Sequence, residues 1–320
     1  MALITRISLV LASVACAVAD AQNLSLKIGT PFNPGKAEIV WQVPSNAVPS
    51  NVRTFKLLPN HFSSQDVSNL LMLCPFTERE RVRDDADWLV FQTVDGSRRL
   101  GILYPLGSIE YRCRELYTPT NLVQALPTRE EAIALATNVL SKIGIDLSEI
   151  AHNRENSKLE ARVADATTIY FVKGTFITNI TSRTIRLRRA IDGTTIIGNG
   201  TGGNCEVEFG DHAKIIKLSV SWRRLDPQRT FPTARRETLV RWIQKGKAVY
   251  GPIPGNLAGV DWKRAHMITI KKAELAYYAG TTIEPSDWAI PIASLWATVS
   301  TSHGDLDLEI DCPVIDETSR

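Results

Sequence analysis

The feature that most constrains this chain is a change of hydrophobic period that occurs three times. Apolar residues at helical spacing, bracketed by a capping signal and a stop, give way to runs that alternate residue by residue. In residues 63–73, Ser63 and Asp66 form an S-x-x-D cap, Val67, Leu70, Leu71 and Met72 supply an apolar side, and Pro75 ends the helix. Strands follow at 88–94, 98–104 and 109–114, the first two joined at Asp95-Gly96. The second helix starts from a Thr128/Glu131 capping box, repeats Ile133, Ala136, Leu140 and Ile143, and stops at Gly144. Strands are then expected at 168–176, 184–190, 194–197, 205–209 and 214–223, with a tight turn at Asp192-Gly193. A third helix begins at Thr233, carries Leu239, Val240, Trp242 and Ile243, and ends at Gly246. Strands at 267–278, 294–300 and 306–312 complete the chain.

This order predicts an α+β fold of repeated helix-on-antiparallel-sheet modules, each helix covering one sheet face. The expected modules span 61–126, 127–231 and 232–320, after a proline-rich extended arm at 22–60. No fixed sequence period accompanies them.

Before the arm, Arg6 precedes an apolar run from Ile7 to Ala19, and Ala19-Asp20-Ala21 makes a small-x-small cleavage site. That is the pattern of a secretory signal peptide over residues 1–21, so the mature chain is expected to be secreted or extracytoplasmic. Acylation of Cys16 as a lipoprotein is the alternative, and an uncleaved anchor the third choice. No later segment has the roughly 18 uninterrupted apolar residues that a membrane span needs.

Export also frames the sulfur chemistry. The mature chain holds Cys74, Cys113, Cys205 and Cys312, an even number that predicts two disulfides. Of three possible pairings, Cys74 with Cys113 and Cys205 with Cys312 is the preferred one, free thiols being the alternative. Sequons at Asn23, Asn179 and Asn199 would carry glycans in a eukaryotic source.

The net charge of +3 is uneven, since residues 182–247 hold 14 Lys/Arg against 6 Asp/Glu. A basic middle suits a polyanionic surface, though the chain's own acidic segments could equally neutralise it. Candidate binding residues lie here: Arg186 and Arg188 on one strand face, and Trp222, Arg223, Arg224, Arg235 and Arg236 near a helix start. The competing reading places Trp222 in the core with solvated arginines around it.

Catalytic grammar is thin. Gly198, Gly200 and Gly203 satisfy G-x-G-x-x-G, but an alternating strand at 205–209 follows where a dinucleotide site needs a helix. The five histidines form no metal-binding pattern, no G-x-S-x-G elbow occurs, and no cofactor is expected. Four carboxylates at 305–311 share one strand face, which cannot alone wrap a cation. An acidic strand beside the Arg186/Arg188 strand would gain cross-strand pairing.

The second helix, Arg189-Ala190-Ile191-Asp192-Gly193, the turn at 198–203, Ser221-Trp222-Arg223 and Pro232-Thr233 together resemble PepSY-type domains. They are similar in particular to extracytoplasmic YycI-like regulators of two-component sensor kinases. The resemblance implies a cystatin-like wrap of helix on sheet and a role in binding or restraining another protein. The chain departs from those regulators in its cysteines and in lacking their N-terminal membrane helix. The expectation is a secreted, non-enzymatic binding protein with an extracellular protein or a polyanionic surface as partner, and no nucleic acid. The alternative is a secreted enzyme acting on glycans or a small secondary metabolite, with carboxylates and histidines assembled by folding.

Overall fold

The computed structural model describes residues 30–114, 125–153, 158–172, 175–197, 203–250, 261–280, 285–302 and 304–315. The leader, Asn23, Asn199, Gly198 and Gly200 lie outside the described residues. The first strands are β1 (Thr30–Phe32), β2 (Glu38–Trp41) and β3 (Asn51–Leu58), followed by helix α1 (Ser64–Leu73). Next come β4 (Arg81–Asp84), β5 (Trp88–Gln92), β6 (Arg98–Leu103), β7 (Ser108–Cys113) and α2 (Arg129–Lys142). A long pair, β8 (Ala161–Val172) and β9 (Thr175–Arg188), leads to β10 (Ala190–Ile191), β11 (Thr194–Ile197), β12 (Asn204–Phe209), β13 (Ile215–Ser221) and β14 (Arg224–Pro232). Helix α3 (Arg236–Gln244), β15 (Ala248–Tyr250), β16 (Met267–Gly280), β17 (Pro285–Thr301) and β18 (Gly304–Pro313) finish the chain.

Two compact units share these elements. The terminal unit takes the described parts of Met1–Thr54, Thr230–Leu275 and Ile290–Arg320, and the central unit takes those of Phe55–Arg229 and Ala276–Ala289.

The central unit is built on one eight-stranded sheet in the order β4-β5-β6-β7-β13-β12-β9-β8. This corrects the expectation of repeated modules. Strands from both sides of residue 127 belong to the same sheet, joined where β7 pairs antiparallel with β13, Ile109 opposite Val220. Helices α1 and α2 bury their apolar sides in one shared core: Leu70 from α1, and Ala136, Val139 and Leu140 from α2, pack with Leu100, Ile102, Val207 and Leu218 of the sheet. A helix buries one stripe and a sheet one face, so two short helices side by side suffice to cover a wide sheet. Local sequence fixes each helix start. Ser63 and Asp66 cap α1 reciprocally, and Thr128 and Glu131 do the same for α2. At the sheet's other edge the β8–β9 ladder continues past the residues of β9 that pair with β12, out to Val172 opposite Thr175.

In the terminal unit the strand order is β1-β15-β18-β17-β16, with β2 parallel to β16. Helix α3 buries Leu239, Trp242 and Ile243. Phe32 and Tyr250 meet Trp262 with ring centroids 5.5 and 5.3 Å apart.

The four thiols are free and buried, so neither expected disulfide is formed. Cys74 caps α1 and Cys113 ends β7 within the central core, which also holds Cys205, whereas Cys312 is buried on β18 of the terminal unit. Burial, and to a lesser degree the neighbouring Cys113, push the Cys74 thiol far up, so it stays protonated and unreactive.

Two buried charges have consequences for stability. Arg189 is 2% exposed, and its guanidinium lies 2.5 Å from Glu149, donates to the Arg223 carbonyl at 2.5 Å and sits 5.0 Å from the Trp222 ring. Trp222 Nε1 donates to the same Glu149 at 2.9 Å. Gly203 closes the lid on this group, because a Cβ there would fall 2.2 Å from the Arg189 Cβ. Glu149→Gln keeps an acceptor for Trp222 but removes the countercharge of a buried guanidinium. We expect it to lower the unfolding free energy by about 3 kcal/mol in urea titration. Glu78→Gln, in the exposed pair with Arg81, should leave the urea midpoint unchanged.

In the terminal unit, burial and then the Glu309 charge push the Asp311 carboxyl up to about 7. The unfolded chain releases that proton near pH 4. Between these values the folded state holds a proton the unfolded state has lost, so the contribution of Asp311 to stability is fullest below pH 4 and is lost as pH rises through 7. Asp311→Asn should abolish this slope and be more stable than the parent at pH 8, by up to ~4 kcal/mol at 1.36 kcal/mol per pKa unit. Unfolding curves at pH 5 and pH 8 measure it.

Candidate functional site

Alternation divides the side chains of the central sheet cleanly. Leu100, Ile102, Cys205, Val207, Leu218 and Val220 face the helices. The residues between them face away, onto a side that no helix covers among the described residues.

Pairing register sets those outward residues in rows across the strands. One row runs Arg162, Arg186, Glu206, Ser219, Glu110, Gly101 and Val90 from β8 to β5. The next runs Glu208, Lys217, Arg112, Arg99 and Gln92. On the other side lies a row of Arg188, Asn204, Ser221, Ser108, Leu103 and Trp88. Seven strands about 4.8 Å apart make this surface roughly 29 Å across.

Two depressions occupy it and adjoin at Ser108 and Glu110. The first, about 420 Å³, is lined by Glu110, Glu160, Arg162, Arg186, Arg188 and Glu206, among others. The second, about 620 Å³, lies over Gly101 between Trp88, Arg99, Arg112, Arg114 and Glu110.

The charges are only partly matched. Glu206 accepts from Arg186 at 2.6 Å and from Lys217 at 2.5 Å. Burial alone would raise its carboxyl, but these two cations together hold it below the usual range. Ser219 donates to Glu110 at 2.5 Å. Asp95, at the rim, is pulled down to about 2 by the Thr93 and Ser97 hydroxyls and the Ser97 amide. In contrast, Arg99, Arg112 and Arg162 are exposed and have no ion pair among the described residues. Arg99 and Arg112 stand directly opposite each other, as do Arg162 and Arg186. Like charges in that relation destabilise a sheet.

The residues singled out from sequence are placed as follows. Arg186 and Arg188 line the first depression. Trp222 is buried against Arg189. Arg223 is buried too, its guanidinium donating to the carbonyls of Ser286 (2.6 Å) and Leu57 and lying 3.2 Å from Asp287. Arg224 is exposed on β14, while Arg235 and Arg236 begin α3 in the terminal unit. Within the central unit, Arg186 and Arg188 share a depression that Trp222, Arg223 and Arg224 do not line.

The acidic strand at 305–311 is β18, whose partners are β15 and β17, so it does not lie beside Arg186 and Arg188 on β9. Gly203 precedes strand β12 rather than a helix. Asn179 lies on β9 with its Nδ2 buried. No group of three or more His, Cys, Asp or Glu side chains is arranged to hold a metal among the described residues.

Trp88, Arg99, Gly101, Glu110, Arg112 and Ser219 do not stand out in the sequence. Alternation in 98–104 already puts Arg99, Gly101 and Leu103 on one face. What it lacks is the register that sets Arg112 opposite Arg99, and that register depends on the connection at 104–107.

No family model and no curated protein matches this chain. Among solved structures, it is similar to an uncharacterized protein from Eubacterium rectale ATCC 33656, at 9% identity, 85% coverage of each chain and a TM-score of 0.46. That likeness carries no argument about function. No helix among the described residues is long and apolar enough to cross a membrane.

Proposed function

We propose that this is an exported, non-enzymatic binding protein that holds an anionic polymer across the open face of its central sheet. One observation carries the reading: arginines without carboxylate partners among the described residues are set opposite one another, Arg99 against Arg112, on a face that no helix covers among the described residues. Such an arrangement costs folding free energy and is stabilised by an anion laid between the cations. The width of the surface favours a chain-like ligand over a compact one. A partner that restrains or is restrained by the protein, as in the PepSY-type resemblance, would present the same acidic chemistry.

A second reading has one observation in its favour. Glu206 and Glu110 lie in the same row on either side of Ser219, about 10 Å apart at their Cα atoms by strand geometry, near the range used by inverting glycosidases. Glu206, however, is shifted downward, opposite to what a general acid needs. Appearance of new reducing ends from an acidic glycan, lost in Glu110→Gln, would support the enzyme.

Charge reversal tests the binding reading. Arg99→Glu with Arg112→Glu should weaken retention on an acidic polymer column at 100 mM salt at least tenfold, with an unchanged melting temperature. Binding by the parent should weaken steeply as salt rises. Retention equal to the parent in the double variant would overturn it.

A further inference from the structure

We infer that the depression over Gly101 is a subsite for one acidic sugar of a polysaccharide, its carboxylate or sulfate held by Arg99 and Arg112. The inference rests on the anionic-polymer reading above and adds the class of polymer.

Gly101 is the reason the depression exists. It lies mid-strand in β6, flanked by Glu110 on β7 and Val90 on β5, and nothing comes within 4 Å of where its Cβ would be. A glycine inside a strand weakens it, and its value lies in letting something approach the backbone closely. Here no part of the protein does so among the described residues. The gap is left open to the outer face.

The walls of the gap differ in chemistry, and the difference identifies the ligand. On one side is Trp88, a half-buried ring whose partner Arg83 sits 5.5 Å from its centroid and is itself held by Asp85 at 2.5 Å. A steadied aromatic offers an apolar platform at little entropic cost. On the other side are the two opposed guanidiniums, a fork geometry suited to a carboxylate or sulfate. Between them, Glu110 and Ser108 present oxygen atoms that can accept from hydroxyls. A sugar acid has these three parts: a C–H face, an acidic group and hydroxyls.

A polyphosphate or a nucleic acid fits less well. It brings a full charge at every repeat and would meet Glu110, Glu206 and Asp95 on the same surface. Spaced charges separated by hydroxyls match the spaced arginines and carboxylates better.

The test uses the full mature protein, an oligogalacturonate as probe, and polyphosphate, polyglutamate and a neutral galactan as comparators, read by calorimetry. The parent should bind oligogalacturonate at least tenfold more tightly than any comparator. Gly101→Leu fills the gap and Trp88→Ala removes the platform, and each should weaken oligogalacturonate binding tenfold or more while changing polyphosphate binding less than threefold. Gly101→Ala, which adds one methyl into open space, should retain most of the affinity and show that the strand tolerates a side chain. If Gly101→Leu and Trp88→Ala bind oligogalacturonate like the parent, or polyphosphate or polyglutamate binds as tightly, the sugar subsite is overturned while the anionic reading stands; if the neutral galactan binds as tightly, the anionic reading falls with it. If no acidic polymer binds the parent, both fail.

Discussion

An antiparallel strand presents its side chains to two sides alternately, and only one side of the central sheet can be made dry by two short helices. Everything proposed for this protein follows from that division. Leu100 and Ile102 pack under α1 and α2, which forces Arg99, Gly101 and Leu103 to the opposite side. Register then decides which outward residues become neighbours. The Ile109–Val220 pairing of β7 with β13 brings Glu110 beside Ser219, and through it into line with Glu206.

The same sheet has to accommodate charge in its interior as well as on its surface. Arg189 and Arg223 are both buried, but their roles differ from those of Arg99 and Arg112. The buried pair is engaged by the protein itself, binding the Glu149 carboxylate, the Arg223 carbonyl and the carbonyls of Leu57 and Ser286, although the Nε of each is left without a partner among the described residues. These segments are distant in sequence, so two guanidiniums hold together parts of the central unit that no single hairpin connects. The surface arginines hold nothing of the protein together among the described residues, which is why a ligand is invoked for them and not for the buried ones.

The local features are legible in the amino-acid order alone. Both capping boxes, the stops at Gly144 and Gly246, and the turns at Asp95-Gly96 and Asp192-Gly193 are written in adjacent residues, and each lies where sequence places it. Longer-range features are not. Helix followed by strands suggests a module, yet nothing local says that β7 will pair with β13. The start of β8 escapes a sequence reading because Ala161 to Ala166 mixes Arg162 and Asp165 with small residues, as an edge strand tolerates and a loop also shows. Pro291 hides the first half of β17. It falls between the residues paired with β3, which end at Ala289, and those paired with β18, which begin at Ile292. The candidate site is invisible for a related reason: the eye falls on runs such as Trp222-Arg223-Arg224, whereas Arg99 and Arg112 lie on different strands and meet only by register.

The most direct measurement is a map of backbone amide shifts as an acidic oligosaccharide is titrated into the isotopically labelled protein. The account predicts that the shifts centre on Trp88, Gly101, Arg112 and Ser219, and fade toward α1 and α2. Saturable shifts confined to the helical side or to the terminal unit, with Gly101 unmoved, would contradict it.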